Sequence, residues 1–210
     1  MKTKILLIGG CGYIGSYLYY SLVQSYHVDV CDIQQRGNPA KIPIKYKISY
    51  KDIPKSICHK YEIILWFAGH SSVKQSINDP DGALNNNFFD LVEFLKKIQN
   101  TTKFIYASSA SLYNGFTGKA KETDIQNQRN NPYDLSKFLF DSIIDHYNKN
   151  FYGLRMGTLC GYSPNIREEL IFNKMCIDSY LIRKIYLSNP SAKRSLLFLP
   201  DLGDLVNFLI

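Results

Sequence analysis

Near its start the chain carries Gly9-Gly10-Cys11-Gly12-Tyr13-Ile14-Gly15, a run that few folds can accommodate. It follows the apolar residues Ile5-Leu6-Leu7-Ile8 without a gap. After it, Ile14, Leu18 and Leu22 fall on one face of a predicted helix over 13–25. A strand that runs through a glycine turn into a helix opens a parallel sheet covered by helices. In the pattern made by Gly9, Gly12 and Gly15, the three jobs are a tight turn, a close approach of backbone to a pyrophosphate, and close helix packing. The helix N-terminus then offers free N–H groups and positive dipole character to an anion. A glycine-rich turn with no ligand would show the same residues, but the strand before and the helix after favour the ligand.

The rest of the chain repeats the alternation of apolar runs and helical patterns. Strands are expected over 4–8, 28–31, 46–49, 63–67, 103–108 and 151–156. Helices are expected over 54–59, 79–99 (opened by Asp79-Pro80) and 132–148. After Gly161 the alternation weakens into a helix near 168–179, short extended pieces and a last helix capped by Asp201. The fold class is therefore α/β, a doubly wound parallel sheet of the Rossmann type. It divides into a nucleotide-binding domain over 1–160 and a small, incomplete C-terminal substrate lobe over 161–210.

Composition narrows the function classes. Hydrophobic residues at 45% and charged residues at 20% fit a soluble globular domain rather than a disordered one. No apolar run approaches the roughly 20 residues that span a bilayer, so no membrane role is expected. The five cysteines are odd in number and lack C-x-x-C spacing, which argues against a disulfide framework or a zinc site. No metal is expected, and the expected compartment is the cytoplasm. The net charge of +7 comes from scattered lysines, so nucleic acid is not expected as a partner. A basic surface also suits an anionic substrate carrying two phosphates, and charge alone does not choose.

Two further sets of residues add chemistry. Asp32 ends the second strand about 20 residues past the glycine turn, where a carboxylate binds the adenosine ribose hydroxyls and repels a 2′-phosphate. NAD is thereby favoured over NADP, and Arg36 nearby is the residue that would weaken the preference. Downstream stand Ser109, at the end of the 103–108 strand, and Tyr133-Asp134-Leu135-Ser136-Lys137. A tyrosine and a lysine four apart share one helical face, their Cβ atoms about 6 Å apart. A lysine ammonium and a positive nicotinamide ring both favour the phenolate over the phenol, whose pKa in water is about 10. Tyr133 is then the acid/base, Ser109 aligns a substrate hydroxyl, and Lys137 assists Tyr133 and binds the nicotinamide ribose. The chain has 16 tyrosines, so a chance Tyr-x-x-x-Lys match is common. Position separates Tyr133: it follows the serine-bearing strand and starts a helix after Asn131-Pro132.

Taken together these residues resemble the extended short-chain dehydrogenase/reductase family, in its NAD-dependent nucleotide-sugar epimerase/dehydratase branch, with UDP-galactose 4-epimerases most alike. The resemblance is carried by Gly9 to Ser16, Phe67-Ala68-Gly69, Val73, Ser76, Pro80, Asn86-Asn87, the run 104–113, Leu154-Arg155, Gly161, Arg194 and Asp201-Leu202. It implies that the glycine turn with Tyr13 and Ile14, together with Phe67, Ala68 and Gly69, holds NAD. It implies that Asn87 supports the loop beside the cofactor and that Arg194 faces the substrate phosphates. Thr158 falls where many members have a substrate-binding asparagine, and Ser71 where epimerases often have a cofactor-contacting lysine. Sugar 4,6-dehydratases carry an acid pair directly after the catalytic Ser or Thr. Ala110-Ser111 stand here, so dehydration is not expected. The expected activity is 4-epimerisation of a nucleotide-diphosphate sugar by transient oxidation at C4. The alternatives are a 4-keto sugar reductase or dehydrogenase, and an NAD-binding protein with little turnover. The resemblance also implies a homodimer through the helices after residues 79 and 132.

Overall fold

The computed structural model describes residues 2–124, 130–187, 189–191 and 193–210. Its centre is a parallel sheet of five strands: β1 (Lys4–Ile8), β2 (His27–Cys31), β3 (Ile63–Trp66), β4 (Lys103–Ser109) and β5 (Phe151–Met156). They lie in the order β2-β1-β3-β4-β5. Tyr46 adds one more parallel rung outside β2 through a single bridge to Cys31. With that rung counted, the order is that of a doubly wound dinucleotide-binding sheet. The strand expected over 46–49 is thus reduced to one bridge. Pro39 and Pro43 just before it withhold donors and hold the approach in irregular backbone.

Alternation along the strands sends side chains to two separate cores. Leu6, Ile8, Ile64, Trp66, Phe104 and Tyr106 meet Leu91, Phe94 and Phe140 on one face. On the other, Ile5, Leu7, Ile63, Leu65 and Ile105 meet Leu18, Leu22, Leu199, Leu202 and Val206. Covering both faces makes every strand residue of β3 buried, the reason it reads as a continuous apolar run. Each fully buried side chain of this size stabilises the fold by on the order of 2 kcal/mol.

The helices follow the sequence with adjustments that have local causes. α1 (Tyr13–Leu22) starts directly on the glycine turn. α2 (Lys55–Cys58) is one turn behind Pro54. A short helix the sequence reading did not anticipate, α3 (Val73–Asn78), is capped by Ser72, whose side chain accepts from the Gln75 amide. The helix expected over 79–99 is composite: α4 (Pro80–Leu84), a π-helical turn (Asn85–Phe89) and α5 (Asp90–Leu95). Asp79 caps it through the Gly82 amide, with proline in the first turn. α6 (Pro132–Tyr147) is capped by Asn131, whose side chain accepts from Asp134 N.

Beyond the main sheet, β6 (Thr158–Cys160) and β7 (Leu196–Phe198) form a parallel pair, with α7 (Ile171–Leu181) between them in sequence. α8 (Leu199–Leu209) follows β7 at once. Asp201, expected to cap this last helix, lies inside its first turn instead. The N-cap is Phe198 with no side-chain bond, because Pro200 takes the favoured first-turn place and starts the helix earlier. α8 falls within the 161–210 segment. Its stripe of Leu199, Leu202 and Val206 packs with Leu18 and Leu22 of α1. Among the described residues no helix is long and apolar enough to cross a membrane, and no cluster of metal-ligating side chains is found.

Candidate active site

In a sheet of this order, the loops that leave the carboxyl ends of β1, β3 and β4 open onto one crevice where the strand order reverses. The glycine turn leaves β1. Gly9 has φ +83°, and a Cβ there would lie 2.5 Å from the Ala68 backbone nitrogen, so only glycine fits. A Cβ on Gly15 would be driven into the Gly9 carbonyl oxygen. Gly12 is the N-cap of α1 and offers no side chain, which leaves the first-turn amides uncapped. Tyr13 is buried: its hydroxyl donates to the Gly161 carbonyl at 2.7 Å and accepts from Asn173 Nδ2 at 3.2 Å. Ile14 is half-buried against the second core.

Asp32 follows β2 and reaches back under the turn. Its Oδ2 accepts from Cys11 N at 2.9 Å and its Oδ1 from Gln34 N at 2.6 Å. A carboxylate has about four lone-pair sites, so acceptor capacity remains for two ribose hydroxyls. Burial and the Asp32 charge push the Cys11 thiol up to about 12, so it is not a nucleophile at neutral pH. An uncapped helix start, a turn with no room for Cβ atoms and a carboxylate with spare acceptor sites together fit a dinucleotide.

The loop after β3 forms the next wall. Phe67 N donates to Ile8 O at 2.9 Å, which packs Phe67 and Ala68 against Gly9. Gly69 has φ +156°, with Asn87 Oδ1 2.8 Å from where a Cβ would be. The π-helical turn presents two adjacent asparagines to this loop. Asn86 Oδ1 and Asn87 Oδ1 both accept from His70 N at 3.0 Å. Asn87 Nδ2 donates to His70 O at 2.8 Å and to Ser136 Oγ at 3.1 Å. Asn87 therefore ties the loop to α6 with its amide fully engaged by protein groups.

Ser109, Tyr133 and Lys137 meet at the end of β4. Ser109 is the last residue of that strand and caps the following 3-10 turn, Ala110–Tyr113, by accepting from Ser111 N at 3.2 Å. Its hydroxyl donates to Ser111 Oγ at 2.9 Å, and it lies close enough to the Tyr133 phenol to favour the ionised form. Tyr133 sits in the first turn of α6, where the helix dipole favours a negative oxygen. Lys137 is buried one turn on and donates to the Ala107 carbonyl at 2.9 Å, its Nζ 5.9 Å from the Tyr133 ring centre. Burial raises the pKa of the Tyr133 phenol. The Ser109 hydrogen bond opposes the rise, the Asp134 charge adds to it, and the Arg167 charge opposes it. Burial pushes Lys137 down to about 8, against the pull of Asp141. Asp141 in turn accepts from Tyr106 at 2.7 Å, Ser108 at 2.9 Å and Arg155 Nε at 2.9 Å, which pins α6 to β4 and β5. A proton can thus move between a bound hydroxyl and the Tyr133 oxygen, with Ser109 as the aligning donor.

Thr158 opens β6, and Arg194 lies two residues before β7. Thr158 pairs with Leu196 in register and its amide donates to Ser195 O at 2.9 Å; Arg194 is exposed just before. Sequence reasoning missed the segment between Gly161 and Asn173, which lies against the glycine turn. Ser163, Asn165, Arg167 and Asn173 find partners more than 90 residues away in the chain, as Arg167 does with Ser71. Only the local cue Ser163-Pro164-Asn165 marks a turn there, and it names no partner.

The chain is 28% identical over 168 residues to UDP-glucose 4-epimerase of Mycoplasma genitalium, covering 71% of the chain and 49% of the relative. With UDP-glucose 4-epimerase of Halalkalibacterium halodurans the identity is 28% over 182 residues, covering 78% and 53%. The chain thus spans about half the length of the curated relatives it matches. In fold it is similar to Thermotoga maritima UDP-glucose 4-epimerase solved with UDP-glucose, with TM-score 0.82, 19% identity, 96% of this chain and 71% of that one. It is similarly close to TunA, an NAD-dependent NDP-hexosamine 5,6-dehydratase, with TM-score 0.80, 19% identity, 99% of this chain and 72% of that one. The model of the NAD dependent epimerase/dehydratase family matches residues 5–210, and the chain belongs to that family.

Proposed function

We propose that the chain acts on a nucleotide-diphosphate sugar as a 4-epimerase, with Ser109, Tyr133 and Lys137 as its catalytic residues. The cofactor of the family is NAD, and here Gly9, Gly12, Gly15, Asp32 and the loop 67–69 would hold it. When bound it supplies the oxidising equivalent at the sugar carbon and returns it. The protein's part is proton movement and placement. Tyr133 takes the proton from the sugar 4-hydroxyl, and Ser109 fixes that hydroxyl in line. Lys137 keeps a positive charge beside the phenolate and offers its ammonium to the nicotinamide ribose. The flat 4-keto sugar turns over, and Tyr133 gives the proton back. Thr158 and Arg194 take the substrate side, Arg194 against its phosphates. Holding the reacting groups in one geometry supplies much of the rate, and the nucleotide diphosphate contributes binding energy remote from the reacting carbon.

The observation that carries this reading is the convergence of Ser109, at the end of β4, with Tyr133 and with Lys137 one turn on in α6, its Nζ 5.9 Å from the Tyr133 ring centre. The UDP-glucose 4-epimerases among its relatives support the sugar and the position. The 3-10 turn after Ser109 begins Ala110-Ser111 and carries no carboxylate, which supports epimerisation over dehydration. We also expect a homodimer through the helices after residues 79 and 132, where Phe89 of the π-helical turn is exposed. The test is incubation of NAD-loaded protein with UDP-galactose, followed by NMR. Formation of UDP-glucose without net consumption of cofactor supports a 4-epimerase, whereas stoichiometric loss of free cofactor makes it a reductase or dehydrogenase.

A further inference from the structure

After β6 the chain runs as a strap against the glycine turn and the loops after β2 and β3. Ser163 Oγ donates to the Tyr13 carbonyl at 2.7 Å and lies 2.7 Å from Ser16 Oγ. Asn165 Nδ2 donates to the Cys11 carbonyl at 2.7 Å and to the Arg36 carbonyl at 3.2 Å. Arg167 donates through one guanidinium nitrogen to Ser71 Oγ at 2.9 Å and to the Ser71 carbonyl at 3.4 Å. In these few residues the strap touches the glycine turn, the loop after β2 and the loop after β3. A dinucleotide's pyrophosphate lies over the glycine turn, between its two ribose sites, in a sheet of this kind.

The charges along the strap are arranged around one carboxylate. Glu169 Oε1 accepts from Arg167 Nε at 2.8 Å and lies 4.0 Å from a guanidinium nitrogen of Arg36. Two guanidinium groups from different loops therefore share one anion. Burial alone would raise the Glu169 carboxyl, but its own backbone amide, the Arg167 hydrogen bond and the two positive charges hold it below the usual carboxylate range. The Arg167 side chain is only 15% exposed. Its charge also favours the ionised forms of both the Tyr133 and Tyr13 phenols, which places it within electrostatic reach of the glycine turn and of the catalytic helix. The turn itself offers dipoles and amides but no full positive charge, and Lys137 stands on α6 beside Tyr133 with one donor on the Ala107 carbonyl. A pyrophosphate brings two negative charges into this space.

We propose that Arg167 is the pyrophosphate-binding cation of the crevice, and that Glu169 holds its guanidinium in the free protein until the dinucleotide displaces it. The proposal rests on the NAD reading and assigns a residue to it. A planar guanidinium presents paired donors that match phosphate oxygens, and a charge-assisted bond of this type is roughly twice as strong as a neutral one. A nucleotide sugar carries the same pyrophosphate chemistry. Ser163 and Asn165 hold the strap on the glycine turn and Arg167 follows two residues on, bonded to the loop after β3, and this placement points to the dinucleotide.

The experiment titrates wild type, Arg167→Ala, Arg167→Lys and Glu169→Gln with NADH by cofactor fluorescence. Adenosine, which lacks the pyrophosphate, and UDP-glucose added to NAD-loaded protein are followed by calorimetry. Arg167→Ala should weaken NADH by about tenfold or more, flatten its salt dependence and leave adenosine unchanged. Arg167→Lys should recover part of the loss, and Glu169→Gln should tighten NADH several-fold. Equal weakening of NADH and adenosine would reduce Arg167 to a tie for the strap and overturn the proposal. A loss confined to UDP-glucose would move the cation to the substrate's pyrophosphate and overturn it too. Wild type that fails to bind NADH would bring down the cofactor reading beneath the proposal, whereas NADH bound equally by wild type and Arg167→Ala overturns the proposal alone.

Discussion

Lys137 is the residue whose surroundings make the most quantitative demand on the free protein. It is buried, its ammonium donates to one carbonyl oxygen, and burial pushes its pKa down to about 8 from the ordinary lysine value of about 10.4. The folded-state value lies below the unfolded one, so the unfolded chain holds the extra proton through that window. The penalty for burying the charge is complete below the folded value and fades as pH rises to the unfolded one, so stability should climb with pH in that interval. At about 1.4 kcal/mol per unit, the full penalty is about 3 kcal/mol. Lys137→Met keeps the bulk of the side chain and removes the charge. It also removes the bond to Ala107 O, a loss of about 1–3 kcal/mol that does not depend on pH. The assay is urea unfolding of cofactor-free wild type and variant at several pH values. The stability difference between the two should shift in favour of wild type by about 2 kcal/mol between about pH 7.5 and about pH 9.5. Parallel curves would refute the reasoning, because they would mean that Lys137 does not carry a buried charge in the folded protein.

Other perturbations follow from the crevice. Fluorescence titration should show NAD bound at least about tenfold more tightly than NADP, since a 2′-phosphate would replace a charged hydrogen bond to Asp32 by repulsion. Asp32→Asn should narrow that gap, and NADP binding as tight as NAD in wild type would transfer control to Arg36. Gly15→Ala places a methyl group into the Gly9 carbonyl and should cost about 1–3 kcal/mol. In a chain of this size that is a melting-temperature loss of about 3–10 °C, and an unchanged melting curve would show that the turn has room to yield.

How much of this molecule the sequence discloses depends on how local each signal is. The glycine turn, its strand and its helix occupy adjacent residues, and the two-faced burial of β3 is written into Ile63-Ile64-Leu65-Trp66 themselves. The Tyr133–Lys137 spacing is likewise local, and Ser109 becomes readable because β4 ends on it. The outer strand near Tyr46 is less legible, because its pairing depends on β2 rather than on its own alternation. The break into α4, a π-helical turn and α5 is invisible in an amphipathic pattern, yet it turns Asn86 and Asn87 toward the loop at His70. Asp201 misleads for a different reason: a good capping residue sits beside a proline that starts the helix first. The strap is the least legible part. Asn165 and Arg167 show their use only when Cys11 and Ser71 are folded against them.

The central claim is that the Tyr133 oxygen carries the proton during sugar oxidation, and Tyr133→Phe tests it most directly. The variant removes one oxygen from a side chain whose ring is already packed at the start of α6. NAD titration and interconversion of UDP-galactose and UDP-glucose should be measured side by side on both proteins. The account predicts cofactor binding within a few-fold of wild type and a loss of turnover of about 100-fold or more, the low end of what positioned acid/base groups contribute. Near-native turnover by Tyr133→Phe, in a wild type that is itself active, would contradict it.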